Sequence, residues 1–198
     1  MTNYFLSFIL VFFSLSTFAQ SKTDLVVNHM LRGTIYVQSS IEDTTAAGGF
    51  GRSENFAKSI ADSLNFIETG FFLKIDTAKV ITIADKFNGY KFYIVNKNDT
   101  VVKLDASDSR LYVVAEVYYK NKWQPIEYLP SSLCGNSYYT VYLKPNEYWE
   151  FQIPKFSGKI SSKLRYRLSI GKDKYVYSNE ILTSINKRQL TEKKDKMQ

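Results

Sequence analysis

The sequence predicts a mainly β protein, with antiparallel strands stacked in two layers around one apolar interior. Two observations predict it. Between Tyr90 and Ile181 apolar and polar residues alternate in run after run: Leu164, Tyr166, Leu168 and Ile170 against Lys163, Arg165, Arg167 and Ser169, and Trp149, Phe151 and Ile153 against Tyr148, Glu150 and Gln152. A period of two arises when one face of a strand is buried and the other is wet. Turn-forming residues separate the runs, as in Lys97-Asn98-Asp99, Lys144-Pro145-Asn146 and Gly171-Lys172-Asp173.

The expected strands follow in order. Gly33–Ser39 is the first. Phe71–Ile75 and Val80–Ala84 are two short ones, and Asn88-Gly89 is a turn signal. Then come Tyr90–Asn96, Thr100–Leu104, Leu111–Tyr119 and Trp123–Tyr128. Tyr138–Leu143 and Glu147–Ile153 form an expected hairpin, as do Lys163–Ile170 and Lys174–Ile181. About seven strands over some 90 residues match the count of an immunoglobulin-like or fibronectin-type sandwich. One amphipathic helix is expected over Ser53–Glu68, because Phe56, Ile60, Leu64 and Ile67 recur at helical spacing behind a Ser53 cap, with Gly70 as the stop.

The ends read differently. Residues 1–19 carry no charged side chain, are almost wholly apolar from Tyr4 to Leu15, and end in Thr17-Phe18-Ala19. That is the pattern of an export signal cut after Ala19, too short for a comfortable membrane span of about 20 residues. Residues 20–86 are expected to form an N-terminal region with short strands and the helix, 87–186 the sandwich, and 187–198 a disordered basic tail that has too few apolar residues to fold alone. Ser40–Arg52 is polar and glycine-rich, a loop; no Lys-Ser/Thr follows its glycines, so it is a poor phosphate cradle.

Lys and Arg number 26 against 19 Asp and Glu, a formal charge of +7. In an exported chain this favours anionic glycans or anionic surfaces and disfavours nucleic acid by compartment. Cys134 is the only cysteine, so no internal disulfide can form. As a nucleophile it needs a base, and the single histidine, His29, lies far away in sequence. One His and one Cys make a poor transition-metal set. Asp105, Asp108 and Glu127 could meet around calcium, but the spacing lacks a calcium-loop pattern, and acidic turn residues are the simpler account. No metal and no cofactor is expected.

Tyr138 and Tyr142 fall on one face of their strand while Val141 and Leu143 take the other, which leaves the two tyrosines exposed as flat rings able to stack on sugars. Arg165 and Arg167, with Lys163, Lys172 and Lys174, give the final hairpin a positive stripe, which also guards a sheet edge against association. Tyr138, Tyr142, Arg165 and Arg167 are therefore the candidate ligand-binding residues.

From Asp108 to Asn186 the words DSRLYVVAEVYYKNKWQPIEYLP, SYYTVYLKPNEYWEFQIPKFSG and KLRYRLSI, together with a leader ending in Ala-Gln, resemble a group of exported proteins of Bacteroidota-type bacteria. The resemblance covers the C-terminal sandwich well and the N-terminal part poorly. It implies an envelope location and an immunoglobulin-like or fibronectin-like fold; the group has no established activity, so no residue role is carried over. The expected function is a non-enzymatic exported module, periplasmic, on the outer surface or secreted, that binds a protein or glycan of the envelope. The rival expectations are an enzyme using Cys134 as nucleophile and a structural component of an envelope complex.

Overall fold

A computed structural model describes residues 22–60 and 64–191. The expected export signal, residues 1–19, lies wholly outside the described residues, as do residues 20–21, 61–63 and 192–198. The strands are β1 (Leu31–Arg32), β2 (Lys58–Ser59), β3 (Phe71–Ile83), β4 (Phe87–Asn96), β5 (Val102–Ser107), β6 (Arg110–Leu111) and β7 (Val113–Tyr119). They continue with β8 (Lys122–Pro125), β9 (Glu127–Tyr128), β10 (Tyr138–Leu143), β11 (Glu147–Pro154), β12 (Ile160–Gly171), β13 (Lys174–Tyr177) and β14 (Ile181–Ile185).

Three antiparallel sheets carry the fold. Their orders are β2-β11-β4-β3, β10-β5-β6, and a five-stranded sheet β13-β12-β7-β8 with β14 also paired to β12. β1 pairs with β9 in parallel. Inward side chains of all three sheets join one core that includes Leu73, Phe92, Ile94, Leu104, Val117, Val141, Trp149, Leu164, Tyr166 and Leu168. Phe92 of β4 stacks on Tyr166 of β12 at 4.6 Å between ring centroids, so the first sheet lies directly on the third. The Trp149 indole N–H, fully buried, donates to the Gln38 carbonyl at 3.0 Å, which removes the cost of burying a polar group among apolar ones.

Several expectations are corrected. The helix over Ser53–Glu68 does not form among its described residues. Ser53–Ile60 runs extended, and Lys58–Ser59 pairs with Tyr148 and Glu147 of β11. The four residues of the supposed apolar face divide: Phe56 is 59 % exposed and Ile67 86 % exposed, while Ile60 and Leu64 pack on a small second cluster. That cluster gathers Phe66, Tyr93, Val95 and Tyr148 on the outer side of β4 and β11. Phe66 is buried and its neighbour Ile67 is not, the alternation of an extended chain. Covering that second face buries more apolar surface than a helix lying free of it.

The two strands Phe71–Ile75 and Val80–Ala84 are one strand, β3, with a register shift between Asp76 and Ile81. The turn lies not at Asn88-Gly89 but at Ala84 and Asp85, both with positive φ (49° and 55°), the pair a tight hairpin requires. Gly89 sits inside β4 for another reason: a Cβ there would lie 2.5 Å from the Ile153 carbonyl oxygen and 2.4 Å from Ile83. β10 and β11 are not a hairpin. β10 pairs with β5 and β11 with β4, so Lys144–Asn146 carries the chain from one sheet to another. Nor does the chain divide at residue 86, since β3 and β4 are hydrogen-bonded along their length and Ile35, Val37 and Ile75 belong to the common core. The tail begins later than Lys187: Lys187–Leu190 form a 3-10 turn capped by Asn186, with Gln189 fully buried and Leu190 against the core.

Candidate functional site

The outer face of the five-stranded sheet is where the basic stripe lies. In β12, Leu164, Tyr166 and Leu168 point into the core, so Arg165 and Arg167 point out, and pairing places Arg165 opposite Glu116 and Arg167 opposite Val114. Across the other edge, β13 sets Tyr177 beside Arg167 and Tyr175 beside Ser169. β8 sets Trp123 beside Tyr118.

The two arginines are unequal. Arg165 donates to Glu116 Oε2 from Nε at 3.2 Å and from Nη2 at 3.1 Å. Its guanidinium carbon lies 4.1 Å from the Trp123 ring centre and 3.9 Å from that of Tyr177. Two aromatic faces and a carboxylate thus hold it, an arrangement that favours guanidinium over ammonium. Arg165 ties β13, β12, β7 and β8 together and has little left for a ligand. Arg167 pairs with the other oxygen, Glu116 Oε1, through Nε at 2.8 Å, and lies over Tyr175 at 4.6 Å. Among the described residues its two Nη groups make no hydrogen bond, and its side chain is 31 % exposed against 18 % for Arg165.

Arg167 lines a hollow of about 210 Å³ with Tyr112, Val114, Leu129, Ser169 and Tyr175. Tyr112 and Ser169 are also walls of a larger hollow of about 570 Å³, completed by Asp105, Tyr138, Tyr139, Gly171 and Lys172 among others. The two hollows adjoin at Tyr112 and Ser169 and together are the groove between the β5–β10 pair and the β12–β13 turn; Tyr138 and Tyr139 line the larger, Tyr175 the smaller and Tyr112 both. Burial lifts the Tyr112 phenol above its ordinary value; Tyr138 and Asp105 lift it further and the positive charge of Arg110 pulls it back. The proton therefore stays on Tyr112 at neutral pH, leaving a hydroxyl that donates and accepts.

The groove brings together two of the four expected residues, Tyr138 and Arg167. Tyr138 anchors a loop as well: its hydroxyl donates to the Ser132 carbonyl at 2.8 Å and accepts from the Ser132 N–H at 3.0 Å. Arg165 lies beside the groove in its clamp. Tyr142 is not a wall; it sits under Lys103, 5.9 Å from its ring centre, and its N–H donates to Ser39 Oγ. Tyr112, Tyr175 and Ser169 were missed, and Lys172 was named only as part of the basic stripe. Tyr175 follows from the same period-two reasoning applied to Lys174–Ile181, but Tyr112 sits at the joint between β6 and β7 and only three-dimensional packing places it.

The other candidates disperse. Cys134 is exposed, and among the described residues no hydrogen bond reaches its thiol. Asp108 accepts from the Gly51 N–H at 3.2 Å, Glu127 from the Ala115 N–H at 2.9 Å, and Asp105 lines the groove. Among the described residues no group of three or more His, Cys, Asp or Glu is placed to hold a metal ion, and no helix is long and apolar enough to cross a membrane.

A further hollow of about 300 Å³ lies under the 38–52 segment, beside Phe50, which stacks on Tyr139 at 4.0 Å. Of its two carboxylates, Glu42 and Asp43, the latter is already occupied. Hydrogen bonds from the Thr45 side chain and N–H and from the Thr140 N–H hold its carboxyl below the usual range. No protein family, curated protein or solved structure matches this chain.

Proposed function

We propose that the protein is a non-enzymatic binding module of the bacterial cell envelope, exported to the periplasm, the outer surface or the medium, and that the tyrosine-lined groove is its ligand site. The observation that carries this reading is the groove itself: four tyrosines, with an arginine, a lysine and an aspartate among them, on a rigid antiparallel scaffold. Tyrosine presents a large face and a hydroxyl at low conformational cost, which suits recognition of a polar partner. The apolar leader supports export. The packing of antiparallel sheets on one apolar core supports an immunoglobulin-like sandwich as the finer description of the fold.

The test is a binding panel of soluble glycans and peptides, read with the native chain and with the double variant Tyr112→Ala/Tyr138→Ala. Expected is retention of at least one member by the native chain and a loss of tenfold or more, about 1.4 kcal/mol, in the variant, with the fold intact by circular dichroism. Retention that the double variant leaves unchanged moves the site elsewhere and overturns the reading.

A further inference from the structure

The groove has a sign. Two cations stand in its walls, Arg167 and, on the β12–β13 turn, Lys172, while Arg110, two residues before the wall residue Tyr112, lies outside the lining. Arg110 is only 4 % exposed, has no carboxylate within 4.0 Å among the described residues, donates through Nη2 to the Pro130 carbonyl, and keeps a buried Nε with no partner. A guanidinium does not lose its proton, so a buried one without a counter-charge is costly. Against these stands one carboxylate in the walls, Asp105. Glu116, near Arg167, is neutralised from both sides. Arg167 also retains two free Nη groups, and a planar guanidinium fork matches a carboxylate or sulfate in geometry.

The groove is equally informative about what it does not offer. A peptide that joins a sheet needs an open strand edge. The β10 edge beside Tyr138 and Tyr139 is closed by the chain's own segment. The Ser40 N–H donates to the Tyr142 carbonyl at 2.9 Å, the Tyr142 N–H to Ser39 Oγ at 2.9 Å, and the Thr140 N–H to Asp43 Oδ2 at 3.1 Å. The β6 edge is likewise paired, through Leu111 N–H to Ile35 O and Val37 N–H to Ser109 O. With those two edges closed, the groove offers ring faces and hydroxyls with positive charge, suited to a chain of sugar rings bearing acid groups.

We propose that the groove takes an acidic polysaccharide, its sugar rings lying on Tyr138, Tyr112 and Tyr175 and an acid group received by the free face of Arg167. This rests on the binding-module reading and specifies its ligand. The experiment is calorimetry of the mature chain with oligomers of polygalacturonate, alginate and hyaluronate, with the same oligomers after reduction of their carboxyl groups, and with polyglutamate of matched charge. Expected is at least tenfold tighter binding of one or more uronate oligomers than of the reduced form or of polyglutamate, and collapse of that preference in Arg167→Gln. Arg167→Lys keeps the charge beside Glu116 and loses the fork, and Lys172→Gln touches only an exposed turn; each is expected to lower the preference at least threefold with an unchanged melting temperature. Equal binding of reduced and acidic oligomers overturns the acidic ligand and leaves the groove reading standing. Polyglutamate binding as tightly as the uronates overturns the sugar and favours an acidic protein segment. No binding of any oligomer overturns the inference, and the binding panel with Tyr112→Ala/Tyr138→Ala then decides the groove separately.

Discussion

Glu116 and Glu127 are carboxylates on neighbouring strands, and their surroundings give them different tasks. Glu116 meets two guanidinia, one on each oxygen, and is the hub of the Arg165 clamp. Among the described residues Glu127 meets no cation. Its Oε2 accepts the Ala115 N–H at 2.9 Å, and burial outweighs that bond and pushes the carboxyl up to about 7 from an ordinary 4.5. The same negative charge, added to burial, drives the Tyr166 phenol well upward. The folded chain holds the Glu127 proton more tightly than the unfolded chain, so protonation stabilises the fold. That contribution is fully present below about pH 4.5 and is lost as pH rises through about 7, in total on the order of 3 kcal/mol. Glu127→Gln keeps an acceptor for Ala115 and has nothing to titrate. Urea unfolding from pH 4 to 8 should show native stability falling across this window relative to the variant; parallel curves would mean that Glu127 does not titrate there.

Asparagine side chains finish what the strands leave open. Asn179, between β13 and β14, accepts the Ile75 N–H at 2.7 Å and donates to the Ile75 carbonyl at 3.1 Å, closing the edge of β3 as a backbone partner does. Asn96 donates to the carbonyls of Thr100, Leu143 and Lys144 where β4 leaves its sheet. Asn55 bridges Tyr36 and Glu150. Asn179→Ala strands both polar groups of buried Ile75, at about 1 to 3 kcal/mol. The expected result is a lower urea midpoint with an unchanged m-value and faster amide exchange at Ile75; unaltered exchange would show that water replaces the side chain freely. Such devices explain what the sequence withheld. Trp149, Phe151 and Ile153 were legible as a buried face because strand alternation is local. The Ser53–Glu68 segment was not, because its spacing satisfies a helix and an extended cover equally, and the outer aromatic face of Tyr93 and Tyr148 that decides between them is built by β4 and β11, far along the chain. Asn88-Gly89 reads as a turn for a similar reason: the need for glycine there comes from Ile153 and Ile83, across the sheet.

At the scale of the whole molecule, the groove exists only because separate parts of the chain meet. Tyr138 and Tyr139 come from the three-stranded sheet, Arg167 and Tyr175 from the five-stranded one, and Tyr112 from the joint between them. Period-two reasoning could offer Tyr138 and Arg167 as outward-facing residues, but only the approach of β5, with β10 beside it, to β12 brings their two hollows together. The same interdependence governs folding. The segment before Phe87 supplies β3 as an edge partner along most of β4, Ile35 and Val37 to the core, the carbonyl that receives the Trp149 N–H, and the strip that closes β10. Removing it leaves β4 unpaired on one side, Tyr93 and Val95 uncovered, and an apolar edge open to other chains. A chain beginning at Phe87 is therefore expected to lack fixed tertiary packing and to associate, whereas the chain from Gln20 unfolds in a single cooperative step. Near-ultraviolet circular dichroism and light scattering of the two would decide it. A monomeric shortened chain with native-like aromatic signals would show that the sandwich is complete from Phe87 onward and that the preceding segment is an accessory to it.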